Sequence, residues 1–115
     1  MPLVSIQTSL KEIANVDSLL KELSNQLANL LGKPESYVMT LIKTSVSMTH
    51  GGSSDPACYV EVKSIGAINA TSTKTVSNMI CTLLEDKAGV PASRVYIEFK
   101  DVPANLWGWN SSTFG

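Results

Sequence analysis

The chain has 115 residues, 43% of them hydrophobic and 17% charged, with a formal net charge of −1 from 9 Lys+Arg against 10 Asp+Glu. That length is one domain and excludes a two-domain dinucleotide-binding enzyme or a barrel of ordinary size, and the apolar content excludes a disordered chain. No global basic field exists to hold nucleic acid or an anionic membrane, and no apolar run approaches the ~20 residues of a transmembrane helix.

The chain opens Met1-Pro2-Leu3-Val4-Ser5-Ile6-Gln7, without a basic region or an apolar signal core, so the expected location is the cytoplasm. A small residue after the initiator methionine normally permits its removal, which would leave Pro2 with a free secondary amine. Leu3–Gln7 alternates weakly and predicts a strand. Apolar residues then recur at spacings of three and four, at Val16, Leu19, Leu20, Leu23, Leu27, Leu30 and Leu31, which places them on one face of a helix. Asn15 suits its N-cap and Asp17 its first turn, where the helix dipole favours negative charge. Gly32 and Pro34 stop it in the expected order, and a second strand is expected over Tyr37–Ser45.

The stretch from His50 through Gly51-Gly52-Ser53-Ser54-Asp55-Pro56 is a loop signal, so His50 is expected to be a solvated loop residue. Cys58–Ile65 alternates, with Cys58, Val60 and Val62 on one side and Tyr59, Glu61 and Lys63 on the other. Val76, Met79, Ile80, Leu83, Leu84 and Ala88 mark a second amphipathic helix, ended by Gly89 and Pro91. Val95–Val102 predicts a fourth strand. The only cysteines, Cys58 and Cys81, form no C-x-x-C and are expected to be buried thiols. With one histidine there is no metal cluster and no readable Ser-His-Asp arrangement.

The two Gly-x-Pro stops, at Gly32 and Gly89, lie 57 residues apart (89 − 32), close to half the chain. That offset superposes the first strand on the third and exposes an internal β-α-β repeat, roughly residues 2–57 and 58–115, within one domain. The fold class is therefore α+β, a two-layer α/β arrangement in which both units share one four-stranded mixed sheet with two helices on one face. The helices have apolar stripe enough for one sheet face only. The other, with its mixed Tyr59, Glu61 and Lys63, points to association through sheets.

Six local motifs stand in order: Pro2 behind Met1; Gly32-Lys33-Pro34 with Tyr37; Gly51-Gly52-Ser53-Ser54-Asp55-Pro56; Ser64-Ile65-Gly66; Arg94-Val95-Tyr96-Ile97; and Gly108-Trp109-Asn110-Ser111-Ser112-Thr113-Phe114. Together they resemble the macrophage migration inhibitory factor family of the tautomerase superfamily across essentially the whole chain. The resemblance implies a homotrimer around a central channel. It also implies cofactor-independent keto–enol tautomerisation of phenylpyruvate-like 2-oxo acids and isomerisation of dopachrome-like compounds. Pro2 then matches the catalytic proline. Lys33 and the backbone of Ile65 match groups that hold the substrate's carboxylate, and Ser64, beside Ile65 in the Ser64-Ile65-Gly66 motif, is counted with them as a substrate-binding residue. Tyr96 and position 98 match pocket residues from a neighbouring subunit, and Tyr37, Trp109 and Phe114 match pocket aromatics.

Two departures from the family pattern matter. The C-x-x-C that follows the loop in the member known for thiol–disulfide activity is replaced by Ala57-Cys58-Tyr59-Val60, and the familiar asparagine at position 98 is Glu98. A carboxylate there would raise the pKa of the proline amine or accept a hydrogen bond from a substrate hydroxyl.

The chemistry is consistent with the residues. Enolisation needs a base matched to neutral pH and fixed charge beside the developing enolate. An α-amino group titrates near 7.7–8.0 (roughly) in water, and burial with Lys33 nearby disfavours its protonated form. Because the family includes secreted members exported without a signal peptide, the alternative is a cytokine-like protein acting through a receptor. That receptor is not readable from sequence. A third reading is a structural or chaperone-like trimer with an inert pocket.

Overall fold

The computed structural model describes residues 1–115. Alternation sorts the strands first. In β1 (Leu3–Thr8), Val4, Ile6 and Thr8 are buried while Leu3, Ser5 and Gln7 are half-buried. In β3 (Cys58–Ser64), Cys58, Val60, Val62 and Ser64 are buried and Tyr59, Glu61 and Lys63 are half-buried. These two strands pair antiparallel at the centre. β2 (Met39–Lys43) joins β1 in parallel and β4 (Val95–Asp101) joins β3 in parallel, giving the order β2-β1-β3-β4. The sheet is the mixed four-stranded one that two β-α-β units predict.

The helices cover one face. α1 (Val16–Leu31) buries Leu19, Leu23, Leu27, Ala28 and Leu31, while Val16 and Leu30 stand off that stripe, 37% and 39% exposed. Asn15 caps α1 by accepting the Ser18 N–H at 3.3 Å, although its own backbone is left-handed, with φ +52°. α2 (Ala70–Ala88) begins well before the first apolar residue of its stripe, Val76. A polar cap explains the extra turn: Asn69 accepts from Thr71 and Ser72 N–H, and Ser72 Oγ accepts from Asn69 N–H. Val76, Met79, Ile80, Leu83 and Leu84 close the core against Val4, Ile6, Val60 and Val62. Burying each such side chain contributes about 1.5–3 kcal/mol.

Strand limits differ from the sequence expectation where turn geometry intervenes. β2 starts at Met39, because Glu35–Tyr37 forms a short 3-10 helix after Pro34, and it ends at Lys43, before Ser45 turns to φ +60°. β1 extends one residue further, to Thr8. β3 ends at Ser64 and β4 at Asp101, each one residue short of the expected end. The chain after β3 turns at Gly66 and Ala67, both at positive φ. Beyond β4, a 3-10 helix (Ala104–Leu106) leads into a hairpin of β5 (Gly108–Trp109) and β6 (Ser112–Thr113). Its two-residue turn, Asn110-Ser111, has φ +50° and +65°, the twist that hairpin loops favour. Strands of two residues leave no periodicity to find, so the sequence reading does not include them.

Arg94 fixes the loop that precedes β3. Its guanidinium donates to the carbonyls of His50 (3.3 Å), Ser53 (3.1 Å), Asp55 (2.9 Å) and Pro56 (2.9 Å). His50 is consequently half-buried rather than solvated, its ring 4.6 Å from that of Tyr96.

Ile80 is fully buried, so Ile80→Ala is expected to cost about 2–5 kcal/mol. Urea unfolding checks this: the midpoint should fall with an unchanged slope, and a loss below about 1 kcal/mol would contradict the core described here.

Candidate functional site

A cavity of about 670 Å³ opens at the end of the sheet where the chain begins, lined among others by Pro2, Tyr37, Trp109 and Phe114. Pro2 is buried although it is the second residue, because β1 is a central strand and Met39 N–H holds the Pro2 carbonyl at 3.0 Å. The Met1 amine, one peptide away, donates to the Tyr37 carbonyl at 2.9 Å. Its pKa is lowered, first by burial and then by the Lys33 charge. Burial and the Lys33 charge thus both disfavour the protonated form of the Met1 amine.

The aromatic wall comes from distant parts of the chain. Tyr37 sits at the end of the 3-10 helix after α1, and Trp109 and Phe114 come from the terminal hairpin. Their rings meet edge-on, Tyr37 5.4 Å from Trp109 and 5.8 Å from Phe114, while Trp109 stacks on Phe114 at 5.5 Å. Each such pair adds about 0.5–1.5 kcal/mol beyond burial. The Phe114 N–H donates to the Trp107 carbonyl at 3.1 Å and ties the tail in place.

Lys33 follows the left-handed Gly32 that closes α1, and its backbone N–H caps the Ala28 carbonyl at 3.0 Å. Its Nζ donates to the Ile65 carbonyl at 2.9 Å. Gly66, at φ +75°, is next to Ile65, and a Cβ there would make ordinary contact with Lys33 Nζ at 4.0 Å. Lys33 and Ile65 thus meet each other, beside the cavity rather than on its wall, and Lys33 acts on the terminal amine through its charge. Ser64 is fully buried on the helix-facing side, with a hydroxyl that meets no partner. It stands behind the site, out of a substrate's reach.

Tyr96 and Glu98 lie elsewhere. The register aligns Tyr96 with Tyr59 and Gln7, and Glu98 with Glu61 and Ser5. Strand geometry then puts their Cα atoms about 20 Å and about 14 Å from that of Pro2 in the same chain. Both point out on the uncovered face, Tyr96 67% exposed.

Two cavity residues escape the sequence reading. Lys63 and Lys100 line the same cavity as Pro2 and are partners across β3 and β4. Alternation alone puts Lys63 on the outer side. Only the register of the parallel pair brings Lys100 beside it.

The thiols are poor nucleophiles. Cys58 is buried and Cys81 half-buried rather than buried, and they are unbridged. Burial raises the pKa of both: the Thr8 hydrogen bond opposes this at Cys58, and the Glu85 charge adds to it at Cys81. No three His, Cys, Asp or Glu side chains converge as a metal site, and no helix is long and apolar enough to cross a membrane.

Known proteins share this architecture throughout. The family described as macrophage migration inhibitory factor matches residues 1–115. The macrophage migration inhibitory factor of Meriones unguiculatus is 37% identical over 114 residues, covering 99% of each chain. The homolog from Brugia malayi is 37% identical over 115 residues, covering 100% of each. A crystal structure of a homologue from Prochlorococcus marinus superposes with a TM-score of 0.96 at 56% identity, covering 98% of this chain and 99% of that one. With its whole length matched, its sheet order and its helices in common, the chain belongs to the macrophage migration inhibitory factor family and has the tautomerase fold.

Proposed function

We propose that the protein is a cofactor-independent keto–enol tautomerase of phenylpyruvate-like 2-oxo acids, with dopachrome-like compounds as further substrates, and that the Pro2 amine is its general base once Met1 is removed. The observation that carries this reading is a second-residue proline buried in an aromatic-walled cavity, beside an amine whose protonated form burial and Lys33 disfavour. In the forward step the Pro2 nitrogen takes a proton from the carbon next to the carbonyl. The electron pair moves onto the carbonyl oxygen, which takes a proton from solvent to give the enol, and the protonated Pro2 amine returns its proton to solvent. Lys33, beside the cavity, gives one of its three ammonium donors to the Ile65 carbonyl and turns the others to the carboxylate end, and Tyr37, Trp109 and Phe114 enclose the ring. Holding the acidic carbon against the base supplies much of the acceleration.

The site is completed by a second subunit in this reading. Tyr96 and Glu98 are too far from Pro2 of their own chain to share its substrate, and the uncovered sheet face carries Met39 and Leu41, 63% and 39% exposed. A homotrimer with sheets turned inward brings Tyr96 and Glu98 of one copy to Pro2 of the next.

A signalling role is the second reading, supported by what the vertebrate relatives are called. A Pro2→Gly protein that keeps a receptor-dependent cell response would assign signalling to the surface; loss of the response together with turnover would assign it to the pocket.

Three outcomes are expected. Protein shown by mass to lack Met1 should turn over phenylpyruvate, and Pro2→Gly should lose at least about 100-fold in kcat/KM with its fold intact by circular dichroism; full turnover with Met1 retained would refute the base. Removing a cation beside an amine raises the amine's pKa. In Lys33→Ala the rising limb of the kcat/KM–pH profile should therefore move to higher pH and KM should increase; an unmoved limb contradicts the role of its charge. Light scattering should give three times the chain mass, and a fully active monomer would exclude the shared site.

A further inference from the structure

The cavity carries more positive charge than one carboxylate requires. Lys63 and Lys100 are register partners on the uncovered face, on strands about 4.8 Å apart. Like charges directly opposite each other destabilise a sheet unless something neutralises them. Lys63 has partial relief from Glu61, 3.7 Å away. Lys100 has none, since the chain's two ion pairs are Lys21–Asp17 and Lys63–Glu61.

Nearby acids are otherwise engaged. Glu61 and Glu98 both act on Tyr59, whose phenol is pushed up by desolvation and then by those two charges. Asp101, next to Lys100, accepts the Gly66 N–H at 2.9 Å. Lys33 stands beside the cavity, where it gives one ammonium donor to the Ile65 carbonyl and disfavours the protonated terminal amine. The lysine pair is therefore a second cationic centre, separate from Lys33. By strand geometry its Cα atoms lie about 6 Å and about 10 Å from that of Pro2. The remaining wall is largely apolar, with Leu106, Trp109 and Phe114 in it, so a charge meeting the lysines there is partly shielded from water.

We propose that Lys63 and Lys100 form a second anion site in this cavity, and that the preferred substrate is a 2-oxo acid bearing a second carboxylate at the end remote from its 2-oxo group. The substrate preference rests on the tautomerase reading, while the anion site does not. Lys33 takes the 2-oxo acid carboxylate, Pro2 the proton, and Lys100, aided by Lys63, the far carboxylate through charge-assisted hydrogen bonds.

The test uses the processed, assembled protein with phenylpyruvate and 4-carboxyphenylpyruvate, and two unreactive probes, phenylacetate and 4-carboxyphenylacetate, followed by calorimetry. The ratio of kcat/KM should favour the dicarboxylate by about tenfold or more. Lys100→Met should lower that ratio at least tenfold, and Lys63→Met should lower it less, because Lys63 already has Glu61. The preference should shrink as salt is raised. If neither 2-oxo acid turns over but 4-carboxyphenylacetate binds more tightly than phenylacetate, and Lys100→Met abolishes the difference, the tautomerase reading fails and the anion site stands. Equal ratios and equal binding in the unaltered protein overturn the proposal. So does a Lys100→Met protein with an unchanged ratio and a weakened oligomer, which would mean that a second copy's carboxylates neutralise the lysines.

Discussion

Pairing β1 against β3 joins two strands of strict alternation, so that Val4 and Ile6 face the same way as Val60 and Val62. A one-residue slip would turn every one of these side chains to the opposite face. The antiparallel seam therefore decides which side of the sheet is dry, and α1 and α2 can settle only there. Each outer strand then adds in parallel to its own half. The internal repeat produces a pseudo-symmetric sheet because both halves obey the same rule.

The same seam buries a chain terminus within the candidate site. First residues are usually frayed because little holds them. Here β1 is central, so Pro2 is held by β2 and roofed by the terminal hairpin. A terminal amine placed this way is more perturbed than one in water, because desolvation and the Lys33 charge act in the same direction. The cap of α1 contributes directly: the left-handed turn at Gly32 throws Lys33 back toward Ile65, linking the first half of the repeat to the end of β3.

The uncovered face is ordered in bands. Across the four strands one row is Met39, Leu3, Lys63 and Lys100, the next Leu41, Ser5, Glu61 and Glu98, and the third Lys43, Gln7, Tyr59 and Tyr96. A face left to water alone has no need to group its charges by sign. The cationic row borders the cavity, the acidic row lies behind it, and the tyrosines stand farthest from Pro2. The proposed trimer and the proposed anion site would share this one face.

Short-range patterning is the part of this protein that its sequence determined alone. The leucine stripe of α1, the alternation of Cys58–Ser64, the two glycine stops and the proline at position 2 are all read within a few residues, because helix and strand periods are local properties of the backbone. From them follow the two-layer class, the repeat and the sidedness of the core. The tertiary structure decided what depends on which distant segments meet. It placed Lys33 on the Ile65 carbonyl, sealed Ser64 behind the wall, brought a hairpin too short for any period over Pro2, and set Lys100 beside Lys63 while holding Tyr96 and Glu98 far from Pro2. Register and closure are long-range consequences of packing, and no local period encodes them.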